Sequence, residues 1–234
     1  MKGTMKLEEI LLANREKFYP VVPFDKASDK LLTIDFTEAN LELTDEIIND
    51  TNLFTDYINT KLVNARALYG IGGYAEHRNV YKMSKVFDAS VIGEEPRRLH
   101  LGIDIWGTAL TPVMAPLEGV IHSFAYNNRM GDYGATIILE HQLDSFSFYT
   151  LYGHLSLRSI ENIRVGEKIG KGSVFTEFGL PSENGSWPPH LHFQLISEIE
   201  NYYGDFPGVC KMSEKEKYLN LCPDPDIVLQ MMPS

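Results

Sequence analysis

The densest group of potentially reactive side chains lies in the segment Pro188-Pro189-His190-Leu191-His192-Phe193-Gln194-Leu195. Alternate side chains of a strand point to the same side, so His190, His192 and Gln194 are expected to share one face. The Cα atoms of His190 and His192 would then lie about 6.6 Å apart. If one imidazole binds a metal ion, the other lies about one water molecule beyond it. The segment therefore predicts a metal ligand beside an acid or base.

A second cluster is formed by the segment His100-Leu101-Gly102-Ile103-Asp104-Ile105-Trp106. A straight strand would separate His100 from Asp104 by about 13 Å, which is too far for both to bind one ion. Gly102 permits the bend or bulge that would bring them together. With one histidine of the first segment they make a set of two histidines and one carboxylate. Three protein ligands leave zinc a fourth position for water, which is the catalytic rather than the structural arrangement.

The third pattern is Thr150-Leu151-Tyr152-Gly153-His154-Leu155-Ser156, in which a histidine follows an aromatic strand and a glycine. This order places His154 at the rim of a sheet, where functional sites are common. Each of the three patterns, taken alone, is more often structural than functional. Their occurrence together in one β-rich region favours a metal site with an acid or base beside it.

Composition and charge limit the classes of partner. The chain has 234 residues, with 32 acidic side chains against 21 Lys and Arg, so its formal net charge is −11. Because no basic run offsets this charge, we expect neither a nucleic acid nor a membrane surface as partner. The N-terminal region lacks an apolar run of signal-peptide length, and no run reaches the roughly 20 residues that span a bilayer. We therefore predict a cytoplasmic protein, in which Cys210 and Cys222 are reduced.

The first part of the chain has helical periodicity. Apolar residues recur at helical spacing within Lys6–Lys17 and again from Thr44, a candidate N-cap, to about Ala67. The glycines of Tyr69–Tyr74 are expected to break the second helix. Residues 1–95 are therefore predicted to form a mixed, mainly helical N-terminal region.

From about residue 98 the pattern changes to short alternating runs separated by turn signals, which is typical of an antiparallel β sandwich or barrel. The clearest runs are Gly119–Phe124, Thr136–His141, Ser145–Leu151 and Leu191–Ile196. A C-terminal helix with Ser213 as cap is predicted over Met212–Asp226. The predicted fold class is α+β, with residues 96–234 as the β domain.

Three segments together resemble the lysostaphin/LytM-type zinc metalloendopeptidases. They are His100-x-x-x-Asp104, Tyr152-Gly153-His154-Leu155-Ser156 and Pro189-His190-Leu191-His192-Phe193, and the resemblance extends over about residues 98–198. It implies an antiparallel β fold that binds one Zn²⁺ through His100, Asp104 and His192. It also implies that His154 and His190 are the catalytic residues, and that the substrate is a peptide or a peptidoglycan fragment with a peptide cross-link.

A weaker resemblance links the chain to the peptidase-like domain of intracellular fusions that also hold a kinase-like domain and an aminotransferase. It is carried by Gly131–Gly134, Trp187–His190 and Asp205–Gly208. A protein of that type would be intracellular, and its substrate need not be peptidoglycan.

Two other functions stay open at this point. One is a non-catalytic binding or regulatory member of the same fold, and the other is a zinc amidohydrolase that acts on a small amide. The polar and aromatic segment Gly73–Tyr81 also has two interpretations, either a cover over the active-site mouth or a packed linker between the two regions.

Overall fold

The computed structural model describes residues 7–88 and 93–232. The described helices are α1 (Leu7–Ala13), α2 (Asp45–Asn49), α3 (Thr51–Ala65), α4 (Lys215–Leu221) and α5 (Asp226–Leu229). The strands are β1 (Leu31–Thr33), β2 (Tyr69–Gly72), β3 (Leu99–His100), β4 (Ile103–Trp106), β5 (Pro112–Met114), β6 (Gly119–Asn127), β7 (Gly134–Leu143), β8 (Phe146–Leu155), β9 (Lys168–Ile169), β10 (Val174–Glu177), β11 (His190–Ile196) and β12 (Val209–Cys210).

An eight-stranded sheet with the order β1-β2-β4-β11-β8-β7-β6-β9 forms the centre of the structure. Only the β1–β2 pair at its edge is parallel, and the remaining neighbours are antiparallel. Two small antiparallel pairs, β5–β10 and β3–β12, accompany it. The α+β class with an antiparallel sheet is therefore confirmed.

Strand β11 is buried on both faces. Leu191, Phe193 and Leu195 point into the main apolar core, as their alternation predicts. The opposite face is buried too, because all seven residues of the strand are inaccessible to solvent. Apolar side chains of the N-terminal region, including Phe36 and Phe54, pack with Trp106 and Trp187 next to that face. The polar residues of β11 must therefore find partners inside the protein.

The predicted helix from Thr44 to Ala67 is divided in two. Helix α2 is capped by Thr44, whose side-chain hydroxyl accepts a hydrogen bond from the backbone N–H of Ile47. Asp50 has an extended backbone and interrupts the helix. Its carboxylate accepts hydrogen bonds from two backbone N–H groups at the start of α3. A second strong N-cap residue within the apolar pattern explains the break.

The segment after α3 is a strand, where the sequence indicated only a helix breaker. Strand β2 pairs with β4, so that Gly72 lies opposite Asp104. The N-terminal region and the region after residue 96 thus contribute to one sheet. The domain boundary at residue 95 stays a prediction.

The C-terminal helix is shorter than predicted, and the predicted Ser213 cap is wrong. A 3₁₀ turn, Met212–Glu214, precedes α4, which begins at Lys215 without a side-chain cap. The carboxylate of Glu95 accepts from the N–H groups of Met212 and Ser213. This long-range contact replaces the local cap.

Both cysteines are buried free thiols, as predicted. Within the described residues, every helix is too short or too polar to cross a bilayer.

Candidate metal centre

The pairing of β4 with β11 sets the geometry of the candidate centre. In this antiparallel register His192 lies opposite Asp104, and His190 lies opposite Trp106. Directly opposed residues of neighbouring strands have close side chains. Two of the three predicted ligands are therefore brought together by a single strand pair.

Gly102 brings in the third predicted ligand. The chain leaves β3 at His100 and enters β4 at Ile103, so the strand is interrupted at the glycine, as predicted. A Cβ atom on Gly102 would lie 2.6 Å from Cε1 of His192, closer than packed atoms approach. The missing side chain thus makes room for the His192 ring. His100 can then place its Nε2 atom 3.3 Å from Oδ1 of Asp104.

The two histidine rings have defined tautomers. Nδ1 of His100 lies 3.0 Å from the carbonyl oxygen of Gly73, which can only accept, so this nitrogen carries the proton. Nε2 of His192 lies 2.9 Å from Oε1 of Gln194, whose amide nitrogen is engaged with the Pro207 carbonyl, so Nε2 is the donor. Nε2 of His100 and Nδ1 of His192 are therefore unprotonated.

Three electron-pair acceptors converge as a result. Nε2 of His100 and Nδ1 of His192 are 2.9 Å apart, and Nδ1 of His192 is 3.2 Å from Oδ1 of Asp104. With these tautomers no proton lies between the three atoms. Burial, followed by the charge of Arg78, lowers the pKa of His100 to about 3. His100 is therefore neutral at pH 7, and its Nε2 atom has no proton to donate to His192 or Asp104.

A divalent cation fits this arrangement. The ligand atoms of a tetrahedral zinc site lie about 3.3 Å from one another, given zinc–nitrogen distances of about 2.0–2.1 Å. The three acceptor atoms here have separations of 2.9, 3.2 and 3.3 Å. Two imidazoles and a carboxylate are also ligand types that zinc prefers.

Arg78 holds the other oxygen of Asp104. Its Nη1 atom donates to Oδ2 of Asp104, while its Nε atom donates to Glu76 at 2.7 Å. Burial alone would raise the pKa of Asp104, but the charge and the hydrogen bond of Arg78 hold it well below its usual range. The sequence-based reasoning did not identify Arg78. The charged run Glu76-His77-Arg78 within the glycine-flanked segment was the available signal.

His154 reaches the centre through a β-bulge. The register of β7 and β8 shifts between the pairs Ala135–Leu155 and Ile137–Tyr152, so that Gly153 and His154 together oppose one residue. His154 has a φ of +62°, an uncommon conformation for a residue with a side chain. Bulges re-aim side chains in this way next to functional sites.

His154 and His190 lie side by side, with ring centroids 4.1 Å apart. Nδ1 of each ring donates to a backbone carbonyl at 2.8 Å, that of Asn184 for His154 and that of Pro188 for His190. Their Nε2 atoms are therefore unprotonated. Burial lowers the pKa of His190 to about 4, and burial followed by the neighbouring His190 lowers the pKa of His154 well below its usual value. Both rings are neutral proton acceptors at pH 7.

Two cavities adjoin the centre. The smaller, which we call the inner chamber, has a volume of about 20 Å³ and is lined by Arg78, Val80, Tyr81, Asp104, Trp106, His154, Trp187, His190 and His192. The larger, which we call the outer cavity, has a volume of about 310 Å³ and shares Tyr81, His154, Trp187 and His192 with it. Segment Gly73–Tyr81 thus provides part of the chamber wall.

The outer cavity contains the charged residues Arg97, Arg129, Asp132 and Asp205 as well as aromatic side chains. Burial raises the pKa of both aspartates. Tyr133 also lines this cavity and donates its hydroxyl to the Phe206 carbonyl at 3.2 Å. A polar chain with apolar side groups, such as a peptide, matches this mixture.

A family model and a curated relative each match part of the chain. Residues 98–203 match the model of peptidase family M23. An uncharacterized metalloprotease of Haemophilus influenzae is 33% identical over 99 residues, which are 42% of this chain and 18% of that protein. The chain therefore corresponds to less than a fifth of that relative.

Two solved structures are similar to parts of the chain. The catalytic domain of the antimicrobial peptidase lysostaphin from Staphylococcus simulans has a TM-score of 0.40 at 24% identity, over 70% of this chain and 97% of that one. A zinc-containing peptidase from Vibrio cholerae has a TM-score of 0.33 at 24% identity, over 46% of this chain and 29% of that one.

Proposed function

We propose, on the premise that residues 98–203 form a domain of peptidase family M23, that this protein is a zinc-dependent peptidase. The observation that carries the proposal is the convergence of His100, Asp104 and His192, whose three acceptor atoms lie within 4.8 Å of one another. A cation bound between these acceptors would share their lone pairs and stabilise the close approach. We expect one Zn²⁺ per chain.

The residues around the ion would have two different roles, metal binding and proton transfer. His100, Asp104 and His192 hold the metal, which when bound supplies a Lewis acid and lowers the pKa of a water molecule. His154 and His190 each offer an unprotonated Nε2 atom, because a backbone carbonyl occupies the other ring nitrogen. One of these atoms takes a proton from the attacking water, and a protonated imidazole returns a proton to the leaving amine.

The substrate we propose is a peptide, either a peptidoglycan-type cross-link or another peptide. The outer cavity supports this choice, because at about 310 Å³ it has room for several atoms of a chain and opens beside His154 and His192. Its basic and acidic side chains suit a substrate with charged or amide groups. A small amide, the substrate of a zinc amidohydrolase, would fill only a small part of this cavity.

The deciding experiment has two parts. Purified protein is first analysed for zinc, for which we expect about one ion per chain. The zinc-loaded protein is then incubated with peptidoglycan fragments and with a peptide library, and the products are read by mass spectrometry, with chelator-treated protein as control.

Cleavage of a peptide bond that the chelator abolishes would support a peptidase. Stoichiometric zinc without any cleavage would instead favour the non-catalytic binding member of the fold. Cleavage restricted to the shortest amides would favour the amidohydrolase.

A further inference from the structure

Three residues that line the inner chamber each carry an N–H donor without a hydrogen-bond partner in the described part of the chain. The donor atoms are Nη2 of Arg78, Nε1 of Trp106 and Nε1 of Trp187. Their side chains are at most 3% exposed, so bulk water does not satisfy them. Folded proteins pair nearly all buried donors. Because all three donors belong to residues that line one cavity, we infer that the cavity receives an acceptor.

The size of the chamber defines that acceptor. A volume of about 20 Å³ exceeds the roughly 10–15 Å³ that one water molecule requires, but it does not admit a whole carboxylate. The chamber therefore accommodates a single oxygen atom. His154 and His190 line the same chamber, so this oxygen would lie beside the two proton-accepting rings.

The donors are held rigidly. The Arg78 guanidinium is fixed by Glu76 and Asp104 and lies 5.2 Å from the centroid of the Phe36 ring. The indole of Trp106 is stacked on His190 with a centroid distance of 3.8 Å and an interplanar angle of 14°. Trp187 packs edge-on against Phe54. Donors fixed in advance stabilise developing charge without reorganisation at the moment of reaction.

We propose that Arg78, together with the indole N–H groups of Trp106 and Trp187, binds the oxygen on which negative charge develops when a peptide carbonyl is attacked. The proposal rests on the proposed peptidase function. It gives the N-terminal region a direct part in catalysis, because Arg78 lies outside the segment that matches the family model.

The reaction involves only the substrate, one water molecule and one imidazole. The water oxygen forms a bond to the carbonyl carbon, while a water proton passes to Nε2 of His154 or His190. The π-electron pair of the carbonyl moves onto its oxygen, which accepts hydrogen bonds from the three N–H donors. When the C–N bond breaks, the electron pair returns to re-form the carbonyl, and the leaving nitrogen takes up the proton.

The first test removes single donors and retains the packing. Trp187→Phe and Trp106→Phe each delete an indole N–H but keep an aromatic ring. Arg78→Lys keeps the charge opposite Asp104 but loses the planar array of donors. We expect kcat to fall about tenfold for each tryptophan variant and about 100-fold or more for Arg78→Lys, as for the loss of an oxyanion donor. KM and zinc content should stay unchanged.

Arg98→Lys is the matched control, because Arg98 is also a buried arginine paired with an aspartate, Asp88, but lies outside the chamber lining. It should retain the wild-type kcat. A loss confined to KM in the three chamber variants would overturn the proposal, since it would assign the donors to ground-state binding. An unchanged kcat would also overturn it, because the chamber would then hold only a structural water.

A second measurement does not depend on turnover. Inorganic phosphate, a tetrahedral anion that can place one oxygen in the chamber, is titrated calorimetrically into the zinc-loaded protein and its variants. We expect the Kd for phosphate to rise at least tenfold in Arg78→Lys and to stay unchanged in Arg98→Lys. Equal affinities would overturn the oxygen site. If wild-type protein cleaves no peptide but shows this difference, the proposed function fails while the oxygen site stands.

Discussion

At the scale of single residues, each of the four histidines at the candidate centre has one ring nitrogen held by an oxygen acceptor. The second nitrogen of each ring is thereby left with a free lone pair. Three of these acceptors are backbone carbonyls, and the fourth is the side chain of Gln194. The chemistry of the site depends on these contacts as much as on the histidines themselves.

The first prediction separates the metal ligand from the proton acceptor within one strand. His192→Ala should abolish zinc binding, because it removes one of only three protein ligands. His190→Ala should retain zinc and lose turnover, because its Nδ1 is bonded to the Pro188 carbonyl and its ring lines the inner chamber together with Asp104 and His192. Zinc per chain is measured by elemental analysis and turnover with the cleaved peptide.

His122→Ala serves as control for these variants, since the ring of His122 bonds to the adjacent Ser123 on β6 and lies outside the candidate centre. It should preserve both zinc and activity. Loss of the metal in His190→Ala with retention in His192→Ala would show that the two roles are inverted.

Gln194 is expected to act through His192. Gln194→Met removes the Oε1 acceptor while filling similar space, so that the proton on Nε2 of His192 loses its partner at 2.9 Å. Zinc affinity should fall by about 10–100-fold, as for other residues that orient a ligand. Competition with a chromophoric chelator measures the affinity, and the exposed Gln142→Met is the control. Equal affinities in both variants would contradict this role.

At the scale of elements, the centre depends on two irregularities in otherwise regular strands. The chain is interrupted between β3 and β4 at Gly102, and β8 carries a bulge at Gly153 and His154. Regular strands would direct alternate side chains to fixed positions, and neither His100 nor His154 would reach the centre. The departures from regularity thus assemble the site.

Gly102→Ala is the corresponding test. The added Cβ would lie 2.6 Å from the His192 ring and 2.8 Å from the Phe193 carbonyl oxygen, so the strands or the ring must move. We expect the free energy of unfolding to fall by about 1–3 kcal/mol, the usual cost of overpacking, and zinc affinity to fall with it. Urea denaturation and zinc titration provide the measurements.

Gly170→Ala offers a comparison, since its added Cβ would meet only the hydroxyl of Ser173 at 3.1 Å and the backbone has no positive φ. Its stability and zinc affinity should stay close to those of the wild type. If Gly102→Ala had the same stability and zinc affinity as Gly170→Ala, the close approach of the His192 ring to Gly102 would not be needed.

At the scale of the whole molecule, burial of charged and polar groups makes stability depend on pH. His141 lies outside the centre, with Nδ1 bonded to the Glu118 carbonyl and Nε2 to Thr150. Burial lowers its pKa from 6.5 to about 4. Between these pH values the unfolded chain binds a proton that the folded protein excludes, so the free energy of unfolding declines as the pH falls from 6.5 to 4.

A lowering of this size corresponds to roughly 3 kcal/mol. His141→Gln should therefore show a smaller loss of stability between pH 7.5 and pH 4 than the wild type, by up to about that amount. Denaturant titrations at several pH values, all with chelator present, measure the difference. Parallel pH profiles for the two proteins would refute it.

The whole molecule also explains why the candidate centre is buried. The N-terminal region adds β1 and β2 to the sheet, and its residues Phe36 and Phe54 pack with Trp187 over the polar face of β11. The family match over residues 98–203 leaves this region out. Arg78, part of the wall of the inner chamber and part of the sheet therefore come from outside that segment.

Sequence alone determined the features that depend on local geometry. The alternation along β11 predicted that His190, His192 and Gln194 share a face, and the motifs around His100, His154 and His192 predicted the family that residues 98–203 match. These inferences succeeded because the period of a strand and the spacing of a motif are properties of neighbouring residues.

Only the tertiary structure decided which acceptors meet and which donors stay unpaired. The contacts of His100 with His192 and of Arg78 with Asp104 join residues 92 and 26 positions apart. Such contacts depend on which strands pair and which region covers them, and that choice is made by the packing of the whole chain. For the same reason the strand β2 and the role of Arg78 were not evident from the sequence, whose glycines and charges allow several local conformations.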